Sequence, residues 1–324
     1  MHALCVPLVF KPVYKGYLWG GNRLAAVYGR TDAPEVCAES WEIAARPDGE
    51  SVVAVGPFAG RGLTELAAAY GAALTGTRAH DPRRFPLLFK VIDARDRLSV
   101  QVHPHAENAG RTGGEPKTEM WVVLDRAPGA SLYAGLAEGA TPDSLRRALA
   151  EGTAASLLVE RPVEPGQALF IPGGLVHAIG AGCLIYEVQQ NSNTTYRLFD
   201  WNRVGSDGQP RALHVEESFK TIDWSLPAPQ MIAPDGGDEA DAGWSDVVAC
   251  DYFSVRRLAL TNPLDVAVDD SSFHALFVTA GAVTLSVGGE RVLLRAGQSA
   301  LVPADAGVYR LEPDAAARLL VTTL

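Results

Sequence analysis

Lysine is scarce in this chain. Only five of its 28 basic residues are lysine, namely Lys11, Lys15, Lys90, Lys117 and Lys220, and the rest are arginine. Against that background a lysine can mark a place that needs a compact charge or a tunable pKa. Positive charge as a whole is in deficit: 28 Lys and Arg stand against 38 Asp and Glu, for a net charge of -10. Nucleic acid is therefore not an expected partner, although a local basic cluster can still hold a small anion. Cysteine is sparse as well. Cys5, Cys37, Cys183 and Cys250 are scattered without CxxC spacing, so a disulfide framework is not expected, and free thiols in a reducing compartment are. No stretch approaches the roughly 20 apolar residues that span a bilayer, so no membrane partner is expected. The opening "MHALCVPLVFKPVYKG" has no basic n-region and only a short apolar run. It does not read as a signal peptide, and the expected location is cytoplasmic.

What is present describes an ordinary globular chain. Its 324 residues are 47% apolar and 20% charged, enough for a sizeable core in two domains or one large one. Residues 60–85 read as helix and then loop, with Pro82 closing the helical pattern. "PLLFKVIDARDRLSVQVHP" reads as two strands joined by the polar turn "DARDR", and "EMWVVLDR" as a further strand. "TPDSLRRALAEG" is a helix with Thr141 at the N-cap and Pro142 at its first position. From Val163 to Val188 short strands alternate with Gly and Pro, as in an all-β barrel or sandwich. Residues 225–246 are rich in Pro, Gly, Ala and Asp without a core pattern. They read as a linker, so the expected domains are 1–230 and 231–324. Beyond it strands alternate strongly, and Gly288–Gly289 predicts a hairpin.

A weak internal repeat links the two halves. "PGQALFIPGGLVHAI" (165–179) can be laid over "AGQSALVPADAGVYR" (296–310), matching Gly166 with Gly297, Gln167 with Gln298 and Pro172 with Pro303. At the place of His177 the second copy has Val308. Two related β-barrels follow from this, one with chemistry and one structural.

The candidate chemistry begins at "LSVQVHPHAENAG". Gln101, His103 and His105 lie two apart, so in a strand they share a face. Gly166, Pro172, Gly174 and His177 follow the pattern G-x5-P-x-G-x2-H. This resembles the second motif of the cupin superfamily, small jelly-roll barrels that hold a metal on inward faces, although Ala181 stands where an Asn is usual. The first cupin motif is H-x-H followed closely by Glu. Here Glu119 follows His103-Pro104-His105 only after the 13-residue insert "AENAGRTGGEPKT", which is Gly-rich and polar and is expected to be a loop. Two imidazoles, a carboxylate and one neutral donor suit Zn²⁺ with room for a substrate oxygen. Pro104 cannot continue a strand ladder, so His105 is expected to lie past the strand end.

Longer blocks are more specific. "YLWGGNRL", "ESWEIAARPDGES", "FPLLFKVIDARDRLSVQVHP", "GEPKTEMWVVL", "IPGGLVHAIGAG" and "YEVQQNSNTTYRLFDWNR" together resemble the type I mannose-6-phosphate isomerase family in its short bacterial form. The resemblance spans roughly residues 8–225. It implies a mainly β fold of cupin jelly-roll barrels, two related β-barrel domains with a few inserted helices, the second barrel metal-free. It implies one Zn²⁺ per chain on Gln101, His103, Glu119 and His177, and Arg197 as the catalytic arginine. It also implies a sugar phosphate as partner and interconversion of mannose 6-phosphate and fructose 6-phosphate. Lys117 and Ser99 share strand faces with metal ligands, and with Lys90 and Glu187 they are candidate substrate contacts. Glu187 and Glu42 can equally be ion-pair partners in a barrel wall, and Arg197 a partner of Asp200. The expected assembly is a monomer or homodimer. Two other functions fit parts of the pattern: a dioxygenase with iron or copper on His103, His105, Glu119 and His177, and a sugar-phosphate sensor without turnover.

Overall fold

The computed structural model describes residues 4–205, 208–234 and 243–324. It is built mainly from antiparallel strands. One sheet has six strands, in the order Ala168–Ile171, Glu119–Arg126, Cys183–Gln190, Leu87–Ala94, Glu39–Ile43 and Val13–Lys15. A second has five: Leu158–Pro162, Ser131–Leu136, His177–Ile179, Val100–Val102 and Tyr196–Phe199. Trp121, Ile185 and Ile171 from the first pack with Leu132, Ala134 and Ile179 from the second, so the two sheets face each other. A further five-stranded and a four-stranded sheet form a second sandwich from Gly243 onward, closed by Leu276, Val321, Leu285 and Tyr309.

The two sandwiches stack. Phe89, Tyr186 and Val188 on the back of the six-stranded sheet join Phe277, Leu320 and Leu301 of the second sandwich in one apolar cluster. Tyr186 and Phe277 are stacked there at 4.2 Å. The six-stranded sheet is thus covered on both faces. That is why its central strands, such as Leu87–Ala94, are buried along their whole length and carry apolar residues on both faces rather than on one alone.

Most elements lie where the residue pattern puts them. The helix Pro142–Ala150 is capped by Thr141, whose side chain accepts from Ser144 N, with Pro142 in its first turn. Ala282–Val287 and Glu290–Arg295 pair as a hairpin around Gly288 and Gly289. The repeat is realised too. Gly166 and Gly297 take φ of 85° and 82°. Gln167 Oε1 accepts from Glu164 N as Gln298 Oε1 accepts from Arg295 N. Strands Ala168–Ile171 and Ser299–Val302 then follow.

Four details differ. The helical stretch in 60–85 is two short helices, Leu63–Tyr70 and Ala72–Thr75, because Gly71 and Gly76 interrupt and end it before Pro82 does. The strands on either side of "DARDR" belong to opposite sheets, so that turn carries the chain across the sandwich. The insert after His105 contains a one-turn helix, Ala109–Thr112. In the expected linker, residues 235–242 lie outside the described residues, and a strand already begins at Gly243. Residues before it are docked: Ile232 and Ala168 exchange both backbone hydrogen bonds, 2.8 and 3.0 Å.

Candidate active site and metal centre

Register places the site. Gln101 lies opposite His177 on one neighbouring strand and opposite Arg197 on the other. Paired residues of adjacent strands point to the same face, so His177, Gln101 and Arg197 form a row directed into the sandwich. Across the gap a second row runs Trp41, Lys90, Glu187 and Trp121. Glu119 begins its strand two residues before Trp121 and shares its face.

His103, Glu119 and His177 converge, each buried, with ligating atoms within 4.8 Å of one another. The two Nε2 atoms lie 3.2 Å apart. His177 Nε2 is 3.4 Å from Glu119 Oε1, and His103 Nε2 is 3.6 Å from Glu119 Oε2. His177 Nδ1 lies 2.9 Å from the Leu175 carbonyl. A carbonyl only accepts, so Nδ1 carries the proton and Nε2 offers its lone pair. Gln101 places its amide 3.3 Å from His177 Nε2, and turning that amide over presents Oε1 instead. Glu119 Oε1 is buried with no hydrogen-bond partner. Imidazole nitrogen lone pairs and a desolvated carboxylate oxygen facing one point make a donor set that fits Zn²⁺. His105 stands outside this group. Its N–H donates to Asn108 Oδ1 at 3.0 Å, and its backbone packs so closely on Gly173 that a Cβ there would be 2.8 Å from His105 Cα.

Burial governs the electrostatics. It holds His177 down to about 3, and with Lys117 and His177 nearby it holds His103 well below the ordinary histidine value. Both imidazoles are therefore neutral at pH 7, as ligands must be. Burial pushes Glu119 up to about 7, against the pull of Lys117. Lys117 Nζ is 2.7 Å from Glu119 Oε2 and 3.1 Å from His103 Nε2. Lys90 Nζ sits 3.1 Å from Glu187 Oε1 and 3.6 Å from Glu39 Oε2. Each carboxylate is also held by an indole, Glu187 by Trp121 at 3.1 Å and Glu39 by Trp41 at 2.7 Å.

A cavity of about 240 Å³ opens onto these groups. Ser99, Gln101, Lys117, Lys90, Glu187 and Arg197 all line it. Arg197 Nη1 donates to Ala212 O at 2.9 Å, while its Nε is buried and unpartnered. Its suggested partner Asp200 is engaged by Arg203 and Arg211 instead, at 2.9 and 2.6 Å. Glu42 is not in the cavity. It points to the other side of the sheet, 2.7 Å from Arg30, and reaches Ser299 of the second sandwich. Sequence reasoning missed Glu39, Arg211 and the aromatic pair Tyr17 and Trp19, which also line the cavity. Glu39 carried a signal, two residues before Trp41 in a strand. Arg211 carried none, since it lies in a loop with no period. A larger cavity, about 480 Å³, lies elsewhere, near Arg161 and Trp224, and holds none of the metal-ligating side chains.

Comparison with known proteins agrees with this geometry. The description "Phosphomannose isomerase type I, catalytic domain" matches residues 8–123, and "Mannose-6-phosphate isomerase, cupin domain" matches residues 245–322. Mannose-6-phosphate isomerase ManA of Bacillus subtilis is 36% identical over 94% of this chain and 96% of its own length. The chain belongs to the mannose-6-phosphate isomerase family. It is an enzyme with the aldose–ketose isomerase activity of that family. The Streptococcus mutans mannose-6-phosphate isomerase is 33% identical over 95% of this chain and 96% of its own. The crystal structure of the Bacillus subtilis mannose 6-phosphate isomerase superposes with a TM-score of 0.85 at 30% identity, covering 98% of this chain and 100% of that one. A mannose 6-phosphate isomerase solved bound with zinc and yttrium shares the fold, with a TM-score of 0.74 at 18% identity over 98% of this chain and 100% of that one.

Proposed function

We propose that this chain is a zinc-dependent isomerase that interconverts mannose 6-phosphate and fructose 6-phosphate, with one Zn²⁺ on Gln101, His103, Glu119 and His177. The observation that carries the reading is the convergence of His103, Glu119 and His177, with Gln101 and Lys117 beside them lining a cavity together with Arg197 and Lys90. A fold neighbour crystallised with zinc supports the choice of metal. When bound, Zn²⁺ supplies Lewis acidity to the sugar's carbonyl and hydroxyl oxygens.

The chain's own residues do the rest. The reaction moves a proton between C1 and C2 through an enediol, so oxyanion character at O1 and O2 has to be stabilised. Arg197 supports that charge with a planar fork of donors, and its buried Nε has no other partner. Burial lowers the Arg197 pKa, and the neighbouring Arg211 and Arg203 lower it further. This excess of positive charge suits the oxyanion that develops at the reacting end of the cavity. Lys117 beside Glu119 and Ser99 just before the Gln101 strand hold sugar oxygens, and phosphate binding orients the reacting carbons. Burial works to raise Glu187, yet Lys90 and Lys117 outweigh it and keep the carboxylate ionised. It then anchors Lys90 toward the substrate.

The reading assigns residues 1–230 to the catalytic cupin domain and 231–324 to the linker and a metal-free cupin-like domain. Exposed Val308 at the position of His177 supports this. The enzyme is placed in the cytoplasm as a monomer or homodimer. Its four free cysteines are in keeping with a reducing compartment. The dioxygenase reading needs His105 as a ligand, and His105 is held away. A coupled assay of mannose 6-phosphate turnover, with chelator and after zinc readdition, tests the proposal. Full turnover in protein shown to be metal-free would end it.

A further inference from the structure

Arg197 and Gln101 face each other on a short ladder. It joins Val100–Val102 to Tyr196–Phe199 through three residue pairs, with a register irregularity between Arg197 and Phe199. A bulge in so short a ladder bends the strand and re-aims the side chains beside it. What lies beyond the ladder's end is therefore decisive. There the turn at 96–98 and the turn at 200–203 lie side by side. Trp201 Nε1 donates to the Leu98 carbonyl at 2.6 Å. The Arg97 guanidinium lies over the Trp201 ring, 4.2 Å from its centroid. Arg203 Nη1 donates to the Arg97 carbonyl at 2.6 Å and to Asp96 Oδ2 at 3.2 Å, while its Nε donates to Asp200 Oδ1 at 3.0 Å.

The second turn is strained to reach this arrangement. Trp201 and Asn202 take φ of 58° and 57°, and among the described residues they are the non-glycine residues with positive φ. Two successive left-handed residues with side chains persist only where their surroundings over-determine them. Leu98, the acceptor for Trp201, lines the substrate cavity together with Ser99 and Gln101. Asp200 at the start of the turn holds Arg211, which lines the same cavity.

We propose that the Trp201–Leu98 clasp, with Arg203 as its polar arm, is a positioning device that sets the Arg197 guanidinium against Gln101 and the reacting end of the cavity. Trp201 touches no substrate and acts through Arg197. The inference rests on the reading of Arg197 as the catalytic arginine.

The test uses the metal-loaded full chain and mannose 6-phosphate. Trp201→Phe keeps an aromatic ring against Arg97 and Tyr133 and loses only the N–H donor. Its kcat should fall about tenfold, with metal content unchanged and KM within about threefold, because a small misplacement of a transition-state group acts on kcat. In an Arg197→Lys background the same change should cost less than about twofold, since the residue it positions is already altered. An equal loss in both backgrounds, or a normal kcat for Trp201→Phe, overturns the clasp while leaving Arg197 in place. A normal kcat for Arg197→Lys alone refutes the role of Arg197, and the clasp proposal with it. If Trp201→Phe does not fold, Arg203→Gln breaks the same clasp at its half-exposed rim and carries the same expectations.

Discussion

The Nε2 atoms of His103 and His177 face each other at 3.2 Å, with Glu119 closing the third side. Because the Leu175 carbonyl fixes the His177 tautomer, both the need for a cation and the direction of its approach are built into neutral side chains. Removing one imidazole removes one of the proposed donors. His103→Ala should weaken zinc binding by at least about 100-fold, whereas His105→Ala should leave the site filled. Elemental analysis of both variants after equal dialysis decides this. An empty site in His105→Ala alongside a full one in Gln101→Ala would return the ligand set to the H-x-H arrangement.

Arg197→Lys separates charge from geometry. Lysine keeps the positive charge and loses the donor fork. If the fork acts on the transition state, kcat should drop about 100-fold while KM stays within about threefold. A phosphate anchor would instead show mainly a raised KM. Steady-state kinetics at matched zinc content distinguish the two.

Lys90 is buried between two carboxylates, 3.1 Å from Glu187 and 3.6 Å from Glu39. Burial favours its neutral form, but those carboxylates outweigh it and raise its pKa. Glu187→Gln leaves the ammonium with the more distant partner only. The expected loss is about 2 kcal/mol of stability, below the full cost of a broken buried pair because Glu39 remains. Urea unfolding at pH 7 measures it. Stability equal to the parent protein would show that Glu39 alone suffices.

His274 supplies a pH signature away from the metal. Its Nδ1 lies 3.1 Å from the Tyr309 hydroxyl, and burial holds its pKa down to about 4, with Asp269 opposing. A histidine depressed on folding takes up its proton more readily when unfolded. Its contribution is fully present above the unfolded pKa of about 6.5 and is lost as pH falls toward 4. Stability should therefore decline over that window, by at most about 1.4 kcal/mol per pH unit from this group. His274→Gln should flatten the slope relative to the parent protein, with His103 and His177 unchanged in both. Identical slopes would mean that His274 is not buried neutral.

Much of this protein is determined along the chain itself. Period-two spacing points Gln101 in its strand and His103 just past the strand's end the same way, and Lys117 just before the next strand toward the side of Glu119. Pro104 ends the ladder beside His103. Thr141, Pro142 and Ser144 define a helix start from local hydrogen bonding alone, and the glycine turns at Gly166 and Gly297 repeat because each needs positive φ. These features depend on neighbours within a few residues, so they survive in a linear reading. The site does not. Only long-range register brings His177 and Arg197 to either side of Gln101. Alternation sends Glu42 and Glu39 to opposite faces of their strand, but only stacking of the sandwiches decides that Glu42 meets Ser299 and Glu39 the cavity. Arg211, held by Asp200, and Trp201, held by distant Leu98, sit outside the strands, and no local period foretells them. Tertiary structure decides these because strand pairing and sheet packing choose which face of each strand meets which neighbour. A single residue's shift in register would send every one of these side chains to the opposite side.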